Sequence, residues 1–308
     1  MFYDLIIIGA DMAGLTAAVY AGRKKLNTAV ITAKIGGQTL MTSAIENFPG
    51  FIKISGAEIV SLLKKQVEKT GVPVVEEEVV FLTKEEGEKF LVKTKDGEYF
   101  AKTVIVASGA KWRKLNIPGE EKFIGRGVSF CSICDAPFFE GKDVAVVGGG
   151  NSGFDSAFDL LKYASKIYVL EISENFAGDK ATFEKLKESG KVEFINFAKA
   201  LEIKGGENVE SVCYEDVSKN EKKEISVGGV FVNIGLNANS SFAEGFLELN
   251  SQKEIIIDPR TNASSVEGVF AAGDVADNKY KQAVIAAGDG ARAVLSAYEY
   301  LKRKGFFE

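Results

Sequence analysis

VAVVGGGNSGFDSAFDLLKYASKIYVLE, residues 144–171, is the stretch that determines the fold. Four apolar residues, 144–147, lead into a glycine-rich turn at 148–153, which opens a helix-like segment, and a second apolar run follows at 167–170. This order of strand, turn, helix and strand is typical of a dinucleotide-binding βαβ unit, because the turn presents backbone N–H groups and a helix N-terminus to a pyrophosphate. The alternative is an ordinary α/β turn without a ligand.

The same plan occurs at the start of the chain, which indicates an internal duplication. Apolar residues 5–8 lead into GADMAG (9–14) and a helix-like segment, and NTAVIT (27–32) is the second strand. After short alternating runs typical of a β-meander, each unit closes with a further strand, in TVIVASGAKWR (103–113) and GGVFVNIGL (228–236).

A late segment, GVFAAGDVAD (268–277), has the form of a strand that returns to the first unit, and an amphipathic helix is predicted after it. We therefore predict an α/β protein with two Rossmann-like, three-layer ββα nucleotide-binding domains, the second inserted into the first. The first domain comprises 1–115 and 243–308, and the second comprises 116–242. The turn-rich stretches 116–121 and 236–242 are the predicted hinges.

Composition excludes several classes of protein. The net charge of −5, without a Lys/Arg cluster, argues against nucleic-acid binding. No apolar run approaches the roughly 20 residues that span a bilayer, and no signal peptide precedes the first strand, so we expect a soluble cytoplasmic protein. Histidine is absent, which removes histidine triads, histidine-bound zinc and imidazole acid–base chemistry.

FCSICDAPFF (130–139) holds two of the three cysteines, Cys131 and Cys134, followed by Asp135. In a reducing compartment a close pair is more often catalytic or metal-binding than structural, and a Cys-x-x-Cys pair can form a readily reducible disulfide. The alternatives are half a zinc site, which lacks further soft ligands, and two inert buried thiols. Cys213 alternates with apolar residues on a predicted strand and is assigned to the core.

The second glycine-rich turn indicates which dinucleotide binds. Glu171 stands 21 residues after Gly150, where an acid accepts hydrogen bonds from a ribose 2′-OH and repels a 2′-phosphate. No arginine that could bind such a phosphate occurs between Arg126 and Arg260, and Lys180 alone could assist. This pattern predicts NADH in preference to NADPH. The predicted cofactor-binding residues of this turn are Gly148, Gly150, Asn151, Ser152 and Gly153, together with Glu171.

The first glycine-rich turn departs from the pattern, because Asp11 occupies the middle glycine position. A carboxylate there repels a pyrophosphate unless it turns to solvent or caps the helix. In addition, ITAK (31–34) contains no acid where one often binds a ribose.

The chain resembles the low-molecular-weight thioredoxin reductases over nearly its full length. The resemblance rests on GGQTLMTSAIENFPGF (36–51), on CSICD (131–135) directly before the second glycine-rich turn, and on GVFAAGDVAD…YKQAVIAAGDGARA (268–293). The segment 107–121 and the region of Glu171 are most similar to the flavoprotein component of alkyl hydroperoxide reductase, which uses NADH. We expect this chain to lack that relative's N-terminal thioredoxin-fold extension.

The resemblance implies FAD in the interrupted domain and a nicotinamide dinucleotide in the inserted one. By matching position, the FAD-binding residues would be Gly9, Ala13 and Gly14 at the pyrophosphate, Gly36, Gly37, Gln38 and Asn47 along the flavin, Asp274 at the ribityl and phosphate region, and Gln282 and Ala283 at the pyrimidine edge. The departures from the family pattern are Asp11, Ser108, Ala136 and Ala238.

The resemblance also implies the catalytic roles. Electrons would pass from NADH to the flavin, then to Cys131–Cys134, and then to a partner disulfide. Cys134 would lie nearer the flavin, Cys131 would attack the partner, and Asp135 would be the general acid/base. Because the pair and the nicotinamide share one domain, a rotation between the domains is expected.

The expected partner is a separate thioredoxin- or glutaredoxin-fold protein, and the family implies a homodimer. Phe138 and Phe139 belong either to the docking surface or to the core, and Trp112 and Arg113 either line the flavin or pack at the domain joint. Two other functions stay open: the reducing component of an alkyl hydroperoxide/peroxiredoxin system, and a flavin-binding redox sensor with weak reductase activity, which Asp11 favours.

Overall fold

The computed structural model describes residues 2–42, 44–87 and 89–306. It divides into two compact units, the first formed by Met1–Lys111 with Asn237–Glu308 and the second by Trp112–Leu236. Both divisions fall a few residues before the boundaries predicted at 115 and 242. The second unit is inserted into the first, and each contains a parallel sheet.

In chain order the strands are β1 (Phe2–Ala10), β2 (Thr28–Ile35), β3 (Val74–Glu76), β4 (Val79–Glu85), β5 (Lys89–Thr94), β6 (Glu98–Val106), β7 (Ala110–Trp112), β8 (Val128–Ser129), β9 (Asp143–Val147), β10 (Lys166–Leu170), β11 (Val192–Ile195), β12 (Ala198–Gly205), β13 (Val209–Asp216), β14 (Glu221–Ser226), β15 (Gly229–Val232), β16 (Leu236–Ala238) and β17 (Val269–Ala271). The α-helices are α1 (Met12–Arg23), α2 (Gly56–Thr70), α3 (Ser132–Asp135), α4 (Asn151–Leu160), α5 (Lys180–Glu188) and α6 (Ala283–Arg303). Short 3₁₀ helices span Thr39–Met41, Ala136–Phe139, Ser241–Ala243 and Gly273–Val275. Each described helix is too short or too polar to span a bilayer.

The first unit is organised around β1, which pairs in parallel with β2 and β6. Leu5 and Ile7 point into a core shared with α1 and α6, whereas Ile6 and Ile8 point into a core shared with β4 and β5. Because β1 is covered on both faces, its sequence is a continuous apolar run rather than an alternating one. The antiparallel strands β4 and β5 extend beyond β6, and β17 also pairs with β6 in parallel.

The second unit repeats this plan with a parallel sheet in the order β11-β10-β9-β15-β8 and an antiparallel sheet β12-β13-β14. Val144 and Val146 on β9 pack on the side of α4, and Ala145 and Val147 pack on the side of the antiparallel sheet. The predicted α/β fold with two Rossmann-like units is therefore confirmed.

A two-stranded ribbon of β7 and β16 contains both points at which the chain passes from one unit to the other. On the first-unit side, the Ser108 hydroxyl donates to the Asn239 carbonyl (2.6 Å), and the Asn239 side-chain amide donates to the Ser108 carbonyl (2.9 Å). The predicted hinge 116–121 lies inside the second unit. There the buried Glu120 carboxylate accepts the backbone N–H groups of Leu115 and Asn116 at 2.8 Å. This capped turn cannot bend without losing both bonds.

Candidate functional site

The two cysteines of FCSICDAPFF form a disulfide, Cys131–Cys134, with a Cα–Cα distance of 5.3 Å. Strand β8 ends at Ser129, and the one-turn helix α3 places Cys134 next to Cys131 in space. The backbone N–H of Asp135 donates to the Cys131 carbonyl at 3.1 Å, which closes this redox turn (residues 129–135). The described residues contain no group of three or more His, Cys, Asp or Glu that could hold a metal. A pair of this kind can accept two electrons.

Asp135 is the acid of the redox turn. Burial raises the pKa of its carboxyl group above the ordinary value, and a hydrogen bond from Ser129 opposes the rise. The Ser129 hydroxyl donates to Asp135 Oδ2 at 2.6 Å. A carboxyl group with a raised pKa is better suited to give a proton to sulfur near neutral pH than an ordinary one.

The aromatic residues near the redox turn differ in how far they are buried. Phe139 is buried and packs edge-on against Phe231 with a centroid distance of 4.9 Å, whereas Phe138 is 42% exposed. Trp112 stacks on Phe130 at 5.3 Å within the second unit. Of the predicted aromatic pair, only Phe138 is exposed.

The second glycine-rich turn joins β9 to α4. A Cβ on Gly153 would lie 1.8 Å from the Gly148 carbonyl oxygen, and one on Gly148 would lie 2.3 Å from the Asn233 carbonyl oxygen. Both positions therefore require glycine. Gly150 is the N-cap of α4, without a capping side chain, and a Cβ there would meet no atom within 4 Å. The turn is open where a pyrophosphate is expected.

Glu171 follows β10 and folds back onto this turn. Its Oε2 accepts the Gly149 N–H at 2.7 Å, and its Oε1 accepts the Ser173 N–H at 2.9 Å. The two bonds fix a carboxylate beside the glycine-rich turn. Asn151, at the start of α4, accepts the Asp179 N–H at 2.8 Å, and Ser152 is the next residue of the helix.

The first glycine-rich turn is packed in the same way. A Cβ on Gly14 would lie 1.9 Å from the Gly9 carbonyl oxygen, and one on Gly9, which has φ +108°, would lie 2.2 Å from the Ala107 carbonyl oxygen. Ala13 is buried in the first turn of α1, where its carbonyl lies against Gly290 of α6. The absence of side chains at Gly9 and Gly14 brings the N-terminus of α1 to the end of β1.

Asp11 adopts one of the two orientations considered from the sequence, since it caps α1. Its Oδ1 accepts the Met12 N–H at 2.8 Å, and its Oδ2 accepts the Thr39 N–H at 3.2 Å. Gly37 leaves room for this carboxylate, because a Cβ there would lie 2.6 Å from Oδ2. Burial raises the pKa of Asp11, although these hydrogen bonds oppose the rise.

The other residues predicted for this site lie in the same unit, after β2 or β17, at the start of α6, or, for Asn47, in the loop before α2. Gly36 and Gln38 follow β2, and the Gln38 Oε1 is buried without a hydrogen-bond partner among the described residues. The Asn47 amide donates to Gln282 Oε1 at 3.2 Å, and Gln282 is the N-cap before Ala283. This edge of a parallel sheet is where such folds bind ligands.

Asp274 follows β17 in a setting that the sequence did not lead us to expect. Burial raises the pKa of Asp274 to about 6; Lys281 opposes the rise, and Asp11, Asp289 and Glu254 add to it. Lys281 forms a buried ion pair with Glu254 at 2.8 Å. Lys281 directly precedes Gln282 in the motif at 268–293. Its positive charge beside an apolar segment could have indicated from the sequence that Asp274 has a charged neighbour.

Comparison with known proteins agrees with this geometry. The family model "pyridine nucleotide-disulphide oxidoreductase" matches residues 3–290. The F component of alkyl hydroperoxide reductase from Staphylococcus aureus (strain MW2) is 40% identical over 98% of this chain, and that from Staphylococcus epidermidis is 39% identical. The chain spans 59% of the length of these curated relatives.

Solved structures match over nearly the whole length of both chains. Thioredoxin reductase from Streptococcus pyogenes has a TM-score of 0.93 and 37% identity, and the match covers 98% of this chain and 99% of that one. Thioredoxin reductase from Giardia duodenalis has the same TM-score and coverage with 33% identity.

Proposed function

This chain belongs to the pyridine nucleotide-disulphide oxidoreductase family and is of the thioredoxin reductase type, and we propose that it is an NADH-dependent disulfide reductase with FAD as its cofactor. Its substrate would be the disulfide of a small thioredoxin- or glutaredoxin-fold protein. The observation that carries the proposal is the Cys131–Cys134 disulfide next to the half-buried carboxyl group of Asp135, whose pKa is raised. When bound, FAD supplies two-electron transfer between a nicotinamide and a disulfide.

The first unit fits FAD on three grounds. The glycines at 9 and 14 leave no side chain between the end of β1 and the start of α1. The buried Gln38 Oε1 has no hydrogen-bond partner among the described residues, and a polar ring system would provide one. Gln282 and Asn47 present amide groups beside each other. We propose that the residues predicted from the resemblance hold the cofactor here.

The thiol chemistry follows from the redox turn. In the reduced protein, Cys131 would attack one sulfur of the partner's disulfide, so that a mixed disulfide forms and the partner's other sulfur leaves as a thiolate. Cys134 would then attack Cys131 and release the second partner thiolate, which restores the Cys131–Cys134 bond. Asp135 would exchange protons with the sulfurs. The exposed side chains of Ile133 (57%) and Phe138 (42%) offer an apolar surface to the partner.

The function is tested by counting electrons. An anaerobic NADH titration of the FAD-loaded protein should consume about four electrons, two each for flavin and disulfide. Cys131→Ser and Cys134→Ser should each lower this to about two, whereas Cys213→Ser, the matched control, should keep about four. An uptake of two electrons by the wild-type protein would contradict the proposed path.

Although Asp11 caps α1, its negative charge stays at the glycine-rich turn, and this charge should weaken FAD binding. Its Oδ1 accepts the Met12 N–H at the N-terminus of α1, and N–H groups at this position bind phosphate in this fold. Asp11→Asn keeps the cap but removes the charge, so FAD should bind at least about tenfold more tightly, or about 1.4 kcal/mol. Flavin fluorescence titration of the FAD-depleted protein measures this.

Asp4→Asn is the control for Asp11→Asn, because it makes the same change at the other end of β1. Since burial raises the pKa of Asp11, lowering the pH should protonate it and tighten FAD binding in the wild-type protein more than in Asp11→Asn. If the wild-type protein and Asp11→Asn bind FAD with the same affinity and the same pH dependence, the charge of Asp11 has no role in FAD binding.

The preference for NADH rests on Glu171, whose carboxylate is fixed beside the glycine-rich turn. We expect kcat/KM for NADH to exceed that for NADPH at least about tenfold, because the carboxylate repels a 2′-phosphate. Glu171→Gln should lower the ratio of kcat/KM for NADH to kcat/KM for NADPH. Glu174→Gln, which changes an exposed residue nearby, should leave this ratio unchanged. Comparable kcat/KM values in the wild-type protein would exclude the preference.

A second candidate is the reducing component of an alkyl hydroperoxide system, favoured by 40% identity to the F component of alkyl hydroperoxide reductase. Coupled assays with a thioredoxin and with a peroxiredoxin plus carrier distinguish the two functions by which partner supports the faster NADH oxidation. The redox-sensor alternative, favoured by Asp11, predicts loose FAD and little turnover with either partner.

We also propose a homodimer formed through the first unit. Ile52 is 97% exposed and Leu62 on α2 is 45% exposed. They lie near an open cavity of about 480 Å³ between α1, α2 and the loop at Phe48 and Phe51. An apolar face of this kind is typical of an interface between protomers.

Ile52→Glu combined with Leu62→Glu should convert the dimer to a monomer in sedimentation velocity. Val80→Glu, which also changes an exposed apolar residue, should leave the dimer intact. A wild-type monomer would exclude the dimer.

A further inference from the structure

Ser129 lies at the end of β8, buried, two residues before the disulfide. Its hydroxyl donates a hydrogen bond to Asp135 Oδ2 at 2.6 Å and accepts one from the Cys131 N–H at 3.1 Å. One side chain therefore connects the backbone of the first cysteine to the carboxyl group of the redox turn.

A serine hydroxyl has a single proton to donate. The Ser129 hydroxyl reaches two acceptors, Asp135 Oδ2 at 2.6 Å and the Cys131 carbonyl oxygen at 3.4 Å. Because the shorter bond goes to Oδ2 of Asp135, the other carboxyl oxygen, Oδ1, is the one that this bond leaves for exchange with sulfur. The bond also favours the charged carboxylate and so opposes the effect of burial on the pKa of Asp135.

Nearby charged residues do not lower the pKa of Asp135 in the way that the bond from Ser129 does. The titratable groups of α4, which packs against the redox turn, include Asp155 and Asp159. Asp159 accepts the hydroxyl of Ser132 at 2.8 Å, and the 3₁₀ helix Ala136–Phe139 carries no charged residue. The shift in the pKa of Asp135 has two causes, burial and Ser129.

We propose that Ser129 is a positioning residue that acts through Asp135: it holds the carboxyl group beside Cys131 and directs proton exchange with the cysteines to Oδ1. The inference rests on the proposed function. When the disulfide is reduced, the S–S bond breaks, two electrons enter from the reductant, and each sulfur keeps a negative charge until it takes up a proton. One of these protons would come from Asp135.

The test uses the full chain and dithiothreitol as reductant, so it requires neither FAD nor NADH. The rate of Cys131–Cys134 reduction is measured between about pH 5 and pH 9. Ser129→Ala should move the inflection due to Asp135 upward by about one pH unit, because the bond that favours the carboxylate is lost. Ser129→Thr should restore the wild-type profile. Asp135→Asn should abolish the inflection, and Ser129→Ala should then change nothing further.

Ser132→Ala is the matched control, since it removes an equally buried hydroxyl from the same turn (5% against 4% exposed) whose bond goes to Asp159. The proposal is overturned if Ser129→Ala leaves the inflection in place, shifts it no more than Ser132→Ala does, or acts equally in Asp135→Asn. If Ser129→Ala does not fold, Ser129→Val compared with Ser129→Thr makes the same test. If Ser129→Ala shifts the inflection but NADH does not reduce the wild-type protein, the positioning role of Ser129 is supported. The proposed function is then refuted.

Discussion

The close approach of a helix start to a strand end is the constraint on which both units depend. In the first unit a Cβ on Gly14 would lie 1.9 Å from the Gly9 carbonyl oxygen, and in the second a Cβ on Gly153 would lie 1.8 Å from the Gly148 carbonyl oxygen. Glycine at these positions lets α1 and α4 begin directly at the edge of their sheets. The parallel strands and the helix that follows the turn are arranged around this contact in both units, whereas the antiparallel strands continue the sheet in the first unit and form a separate sheet in the second.

Each glycine-rich turn also holds a carboxylate on backbone N–H groups, but at different places. Glu171 comes from the end of the neighbouring strand and binds Gly149, where it leaves the N-terminus of α4 open. Asp11 stands inside the turn and accepts the N–H groups of Met12, at the start of α1, and of Thr39, which follows β2. Under the proposed function, the same chemistry would select among ligands at one turn and compete with a ligand at the other.

The redox turn places a half-buried carboxyl group next to a disulfide in a chain without histidine. Asp135 is held by Ser129, and burial keeps its pKa above the ordinary value. A carboxyl group of this kind can serve thiol chemistry in a chain without imidazole. The anchoring of Ser132 to Asp159 on α4 further ties the turn to the helix that starts at the second glycine-rich turn.

The sequence by itself determined the α/β fold, the duplicated βαβ plan and the cysteine pair, because strand periodicity, glycine spacing and Cys-x-x-Cys are local patterns. Only the tertiary structure decided that Asp11 caps α1, that Phe139 is buried while Phe138 is exposed, and that residues 116–121 are fixed by Glu120. The first two outcomes depend on partners such as Thr39 and Phe231, which lie far along the chain. Hydrogen bonds and packing between distant segments leave no periodic signal, so they are read only from the folded chain.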